Sequence, residues 1–215
     1  MVCMKFYPTT RDELANSLTH GIGVFLSIAG LIILILVAAF YGNVWHVVSF
    51  SIYGTSLVIL YSFSTLYHSV RHPGVKKSLR FLDHSSIYIL IAGTYTPFAL
   101  VSLRGGWGWS LFGVIWACAF VGVLLKYFFT GRYEILSVIV YIAMGWLCLI
   151  ALKEITVRVP GMSIILLLSG GVSYTAGVVF YAWKKVPYHH AIWHVFVFTG
   201  SLFHYFAVLA LVNTV

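Results

Sequence analysis

The sequence predicts an all-α integral membrane protein in which seven transmembrane helices form one bundle. Of its 215 residues, 61% are hydrophobic and only 8% are charged, whereas soluble domains carry about 25% charged residues. Residues 21–70 contain no Lys, Arg, Asp or Glu, and this stretch is too long for one span of about 20 residues. A β-barrel is not expected, because its strands would be short and alternating instead of continuously apolar.

Breaks between apolar runs define the spans. Tyr41-Gly42-Asn43 separates the first two runs, and Arg71-His72-Pro73-Gly74 ends the second. Pro97 in the third run predicts a kink, because proline leaves a backbone carbonyl without its helical donor. The predicted spans are residues 22–41, 44–67, 85–103, 107–129, 135–152, 162–183 and 190–212. We therefore predict a cytoplasmic or interfacial N-terminal segment at residues 1–20 and a seven-helix transmembrane domain at residues 21–215.

The positive charges predict how the bundle is oriented. If the N-terminus and every second loop share one side, that side holds ten Lys and Arg residues and the other side holds three. Because Lys and Arg accumulate in cytoplasmic loops, we expect the N-terminus inside and the C-terminus outside. The ten are Lys5, Arg11, Arg71, Lys76, Lys77, Arg80, Lys126, Arg132, Lys184 and Lys185, and the three are Arg104, Lys153 and Arg158. This distribution explains the net charge of +8 without nucleic-acid binding.

Histidines at the head of the seventh span are the strongest sign of a functional site. His190 and His194 are four residues apart, so they lie on one helical face in the spacing that offers two imidazoles to one metal ion. The predicted topology brings His68, at the inner end of the second span, to the same depth. Asp83 is expected there too, at the start of the third span. Ionisable groups at such a depth are costly and usually functional.

Three imidazoles with an open fourth position are typical of a catalytic zinc site. Histidine also binds copper, iron and nickel, and zinc is preferred because no ligating carboxylate is expected. Cys3, Cys118 and Cys148 form no C-x-x-C pair and are expected to be small core residues. The alternative is that the histidines are interfacial groups bonded to their neighbours, and that Asp83 forms an interfacial salt bridge beside Arg80.

Other polar residues recur at helical spacing. Ser64 is one turn before His68 on the same face. Glu13, Asn16 and His20 share a face of the N-terminal segment, which fits a short interfacial helix with a wet face. His204 is ten residues beyond His194, about 15 Å along a helix, so it is expected to be a buried hydrogen-bonding residue outside the metal site.

The order of these motifs resembles the hemolysin III family, the bacterial branch of the progestin and adipoQ receptor superfamily. The matching motifs are Glu13-x2-Asn16-x3-His20, Ser64-x3-His68, Asp83, Ala92-Gly93-Thr94-Tyr95-Thr96-Pro97, His190-x3-His194 and Gly200-Ser201-x2-His204. The resemblance implies zinc held by His68, His190 and His194, with Asp83 and Ser64 around a zinc-bound water. It also implies a multi-pass protein of the bacterial cytoplasmic membrane.

Three functions stay open at this point. The superfamily is grouped with alkaline ceramidases, which implies a metal-dependent hydrolase of ceramide-like amides or of esters, acting in membrane lipid homeostasis. The second function is a non-catalytic regulator or receptor of membrane composition. The third is a pore-forming cytolysin, which the family name implies and which has the least support in the sequence. Membrane lipids are the expected substrate or ligand, and the sequence leaves the oligomeric state open.

Overall fold

The computed structural model describes residues 9–214. Within this range the chain is helical without a β-strand, and seven helical spans are long and apolar enough to cross a membrane. This confirms the predicted all-α, seven-span architecture. The helices are α1 (Thr10–Tyr41), α2 (Val44–Ser69), α3 (Pro73–Pro97), α4 (Gly106–Phe129), α5 (Glu134–Gly145), α6 (Leu152–Arg158), α7 (Gly161–Ala182) and α8 (His189–Leu209). Cys3, Lys5 and the C-terminal Val215 lie outside the described residues.

The first helix begins well before the predicted span. Thr9 caps it: the Thr9 hydroxyl accepts from the Asp12 backbone N–H at 3.2 Å, and the Asp12 carboxylate accepts from the Thr9 N–H at 2.8 Å. From there α1 runs without interruption for 32 residues, about 48 Å at 1.5 Å per residue. Residues 10–21 therefore form the first turns of α1 and are not a separate helix.

The breaks around α2 follow the predicted signals, but α3 starts earlier than expected. Asn43 caps α2 by accepting from the N–H groups of Trp45 and His46. Pro73 occupies the first turn of α3, where its missing N–H costs no hydrogen bond. The third helix thus begins twelve residues before the predicted residue 85, and the basic run from Lys76 to Arg80 is helical instead of lying in a loop.

Two spans change their helical pitch inside the bundle. After Pro97 the third span continues as a π-helical turn, Phe98–Ser102, and the kink predicted at that proline stays a prediction. The fifth span is interrupted after α5 by a 3-10 turn, Leu147–Ala151, before α6 completes it. The Tyr95 hydroxyl bridges this break, because it lies 2.8 Å from the Gly145 carbonyl and accepts from the Cys148 N–H at 2.9 Å.

Helix α3 lies at the centre of the bundle. It packs against α2, α4, α5 and α8, while α1 packs against α2 and α8. Helices α7 and α8 approach closely where both carry glycine: a Cβ on Gly200 would lie 2.8 Å from the Tyr174 ring. Small residues permit such contacts between transmembrane helices. An apolar cavity of about 230 Å³ remains inside the bundle, with residues of α3, α5, α7 and α8 among those that line it.

Candidate metal centre

Three histidines distant in sequence meet at one end of the bundle. His68 comes from the last turn of α2, and His190 and His194 come from the first two turns of α8. Their ring centroids are 5.1 Å (His68–His190), 5.1 Å (His68–His194) and 4.6 Å (His190–His194) apart. One nitrogen from each ring lies within 4.8 Å of the other two. Three imidazole nitrogens at this separation can bind one ion, so the structure assembles the predicted set.

Glu13 orients the first of these rings. Its Oε2 lies 2.6 Å from His68 Nδ1, and its Oε1 lies 3.0 Å from Lys76 Nζ. The bond uses one ring nitrogen of His68, and its other nitrogen, Nε2, is buried without a hydrogen-bond partner among residues 9–214. Carboxylates that hold the far nitrogen of a metal-binding histidine are a recurrent feature of metal sites. A metal ion is therefore the partner that fits His68 Nε2.

The second ring is held by the backbone of α1. His194 Nδ1 lies 3.2 Å from the Asn16 carbonyl and 3.2 Å from the Thr19 hydroxyl, which leaves Nε2 for an ion. His20 stacks on the His194 ring with 3.6 Å between centroids. The Asn16 side-chain amide lies 3.4 Å from His68 Nδ1. One face of α1 thus supports two of the three rings.

This arrangement corrects one interpretation of the N-terminal segment. Asn16 and His20 are only 3% and 4% exposed, so the expected wet face is wrong. The i, i+3, i+7 spacing of Glu13, Asn16 and His20 was the available signal, and it showed that they share a face. It did not show that this face packs against the histidines of α2 and α8.

Asp83 and Ser64 share a cavity with two of the three histidines. Both are buried, and both line the cavity that His190 and His194 also line. The Asp83 carboxylate lies 4.0 Å from His84 Nε2. The expected alternative, a salt bridge between Asp83 and Arg80, is absent among the described residues, because Arg80 pairs with Glu134 of α5. A carboxylate and a hydroxyl therefore face the same space as two of the imidazoles.

His204 lies apart from this group. It is on α8, and its Nε2–H donates to the Leu167 carbonyl at 3.1 Å. It is not one of the three histidines whose nitrogens converge. Its place as a hydrogen-bonding residue outside the site was predicted from the distance along the helix.

The cavity extends from the histidines into an apolar interior. Apolar side chains of α3, α4, α7 and the segment after α6 line its remaining length, among them Leu90, Leu103, Leu111, Val159 and Leu167. Such a lining has few groups that could bind a polar solute, and it suits an aliphatic chain. The arrangement can therefore place a polar bond at the histidines and a hydrocarbon chain beyond them.

Comparison with known proteins gives matches over nearly the whole chain. The profile of the family described as "Haemolysin-III related" matches residues 9–205. The "Hemolysin-3 homolog" of Bacillus subtilis (strain 168) is 50% identical over 201 residues, which cover 94% of each chain. The "Hemolysin-3" of Bacillus cereus is 50% identical over 199 residues, covering 93% of this chain and 91% of the relative. The human "Monocyte to macrophage differentiation factor" is 28% identical over 212 residues, covering 95% and 86%.

Proposed function

Because this chain belongs to the haemolysin-III-related family of multi-pass membrane proteins, we propose that it is a zinc-dependent hydrolase of amide or ester bonds in membrane lipids. We place its action in lipid homeostasis of a bacterial cytoplasmic membrane. The observation that carries the proposal is the convergence of three imidazoles, two of which, those of His190 and His194, line an apolar cavity. This arrangement supports the proposal because it would join a site for hydrolysis to a site for a hydrocarbon chain.

The residues present fit a zinc ion. His68, His190 and His194 would hold it, with Glu13 and the Asn16 carbonyl fixing two of the rings. Three histidine ligands leave one of the four usual zinc positions open to water or substrate. Bound zinc would supply a Lewis acid that polarises a carbonyl and makes water acidic enough to attack near neutral pH.

Asp83 and Ser64 would do the remaining chemistry. The Asp83 carboxylate is buried and lines the same cavity as His190 and His194, and it would accept a proton from an attacking water and return it to the leaving group. The Ser64 hydroxyl can donate a hydrogen bond to the substrate carbonyl oxygen as negative charge develops there. The apolar lining would hold the acyl chain and exclude bulk water.

Release of a fatty acid by purified protein tests this proposal. Protein in mixed lipid–detergent micelles is incubated with ceramide and with an ester lipid, and products are identified by mass spectrometry. Wild type should release fatty acid, and chelation should abolish it. Asp83→Asn keeps size and hydrogen-bonding capacity but removes the base, so turnover should fall by about 10²–10⁴-fold while zinc and fold are retained. Equal release from wild type and Asp83→Asn, both loaded with zinc, would disprove the role of Asp83.

A second candidate is a non-catalytic regulator of membrane composition in which zinc is a clamp. The contacts of α1 with His68 and His194 favour it, because they join α1, α2 and α8 around the site. In that case chelation lowers thermal stability, and no lipid product appears under any condition. Leakage from vesicles without lipid turnover would instead support the lytic activity that the name of the Bacillus cereus relative describes for that protein.

A further inference from the structure

Lys126, near the end of α4, points into the protein. A lysine near the end of a span normally extends its ammonium to the water at the interface. Lys126 is only 4% exposed, whereas its neighbours Leu125 and Tyr127 are 51% and 69% exposed. Gly122, one turn earlier, faces α3, since a Cβ there would overlap the Tyr88 ring. Lys126 therefore lies on the α3-facing side of α4.

Within the part of the chain that the structure describes, the ammonium of Lys126 has no hydrogen bond or ion pair, and the charges that act on it at longer range are those of Glu134 and Arg80. The carboxylate of Glu134 is engaged by Arg80, and that of Asp83 faces His84. A buried charge without a partner is strongly unfavourable. An anion supplied from outside the chain would remove this cost.

Such an anion could contact Lys126 from the cavity. Lys126 lines the same cavity as His190 and His194, so the polar groups of the cavity include a cation as well as a pair of imidazoles. A fatty acid has one polar group and can contact either the cation or the imidazoles. A glycerophospholipid carries an ester carbonyl and, several bonds away, a phosphodiester, so it can contact both.

The charges near Lys126 favour an anion with a single charge. Only one ammonium is unpaired, and Asp83 and Glu134 line the same cavity and oppose a more highly charged group. A phosphodiester carries one negative charge. We propose that Lys126 binds the phosphodiester of a glycerophospholipid whose acyl chain lies in the apolar part of the cavity. This inference rests on the proposed function in taking the cavity as the lipid site, and it names the substrate class.

Lipid binding tests the inference without requiring turnover. Detergent-purified protein is titrated with phosphatidylglycerol and with diacylglycerol of the same chains, and bound lipid is measured by native mass spectrometry. Charge-assisted hydrogen bonds lead us to expect about tenfold tighter binding of phosphatidylglycerol by wild type. Lys126→Met and Lys126→Gln should bring the two affinities within about twofold of each other. Lys77→Met, which removes an exposed lysine, should keep the preference.

A second measurement separates lipid binding from a structural role. In non-ionic detergent without added phospholipid, Lys126→Met should melt at or above the wild-type temperature, because it removes an unpaired buried charge. Phosphatidylglycerol should then raise the melting temperature of wild type more than that of the variant. A variant that melts lower and keeps the wild-type lipid preference would overturn the inference. So would a preference for oleate over phosphatidylglycerol, or displacement of the lipid by free glycerol phosphate.

The two proposals fail in different ways. If phosphatidylglycerol binds through Lys126 but no product is released, the hydrolase proposal is wrong and the lipid site stands. If fatty acid is released and Lys126→Met leaves both binding and lipid preference unchanged, the hydrolase stands and the role of Lys126 is wrong.

Discussion

Glu13→Gln should weaken zinc binding by about 10- to 100-fold, the usual effect of removing the partner of a metal-bound histidine. The substitution keeps the shape of the side chain but removes the charge that faces His68 Nδ1 at 2.6 Å. The loss corresponds to about 1.4–2.8 kcal/mol, at 1.4 kcal/mol for each tenfold change in affinity. The three imidazoles stay in place, so the variant should still bind zinc, only more weakly.

Competition with a chromophoric chelator gives the zinc dissociation constants of wild type and variant. Because Glu13 also contacts Lys76, Lys76→Met serves as a parallel variant that removes this ion pair and keeps the bond to His68. It should change zinc affinity by much less than Glu13→Gln does. Glu154→Gln is the matched control, since Glu154 pairs with Arg158 at 2.9 Å and is not among the groups around the histidines.

The reasoning is refuted if Glu13→Gln binds zinc as tightly as wild type. It is also refuted if Glu154→Gln weakens binding equally, because a general loss of stability would then explain both. If Lys76→Met matches Glu13→Gln, the ion pair between α1 and α3 is what matters, and the carboxylate–histidine bond is not.

Three further outcomes are expected. Purified protein should contain about one zinc ion per chain, measured by inductively coupled plasma mass spectrometry. The double variant His190→Ala/His194→Ala should lose the zinc ion, and His204→Ala should keep it. Full zinc occupancy in the double variant would exclude this site. The N-terminus should be cytoplasmic and the C-terminus outside, so a reporter that is fused to the C-terminus and active only in the cytoplasm should be silent. Activity of this reporter would show that the predicted orientation is reversed. Tyr95→Phe should lower the free energy of unfolding by about 1–3 kcal/mol, because the Cys148 N–H loses its acceptor. Denaturant titration measures this free energy. An unchanged value would mean that water or another group replaces the hydroxyl.

Much of the fold could be predicted from the sequence because each span is encoded locally. Long apolar runs must form helices in a bilayer, where no water satisfies the backbone. Breaks such as Tyr41-Gly42-Asn43 therefore appear in the structure close to the predicted positions. The start of α3 was missed because hydropathy marks the apolar part of a helix, and α3 continues for three turns through the basic residues before it.

The three histidines of the site could also be predicted from the sequence. The spacing of His190 and His194 specifies a shared helical face, and the topology places His68 at the same depth. Those two arguments depend on helical period and span length, which are local properties. They are sufficient to bring three histidines together and to leave His204 outside the group.

Only the tertiary structure decided what surrounds that set. Glu13 reaches His68 across 55 residues, Arg80 reaches Glu134 across 54, and Lys126 points into the cavity and not to the interface. Helical period tells which residues share a face, but the rotation of a helix about its axis is set by packing against its neighbours. Hydropathy therefore determined the spans and the depth of the histidines. The packing of α1 on α2 and α8, and of α4 on α3, determined which side chains contact the three histidines and which lysine of the described residues is buried without a hydrogen bond.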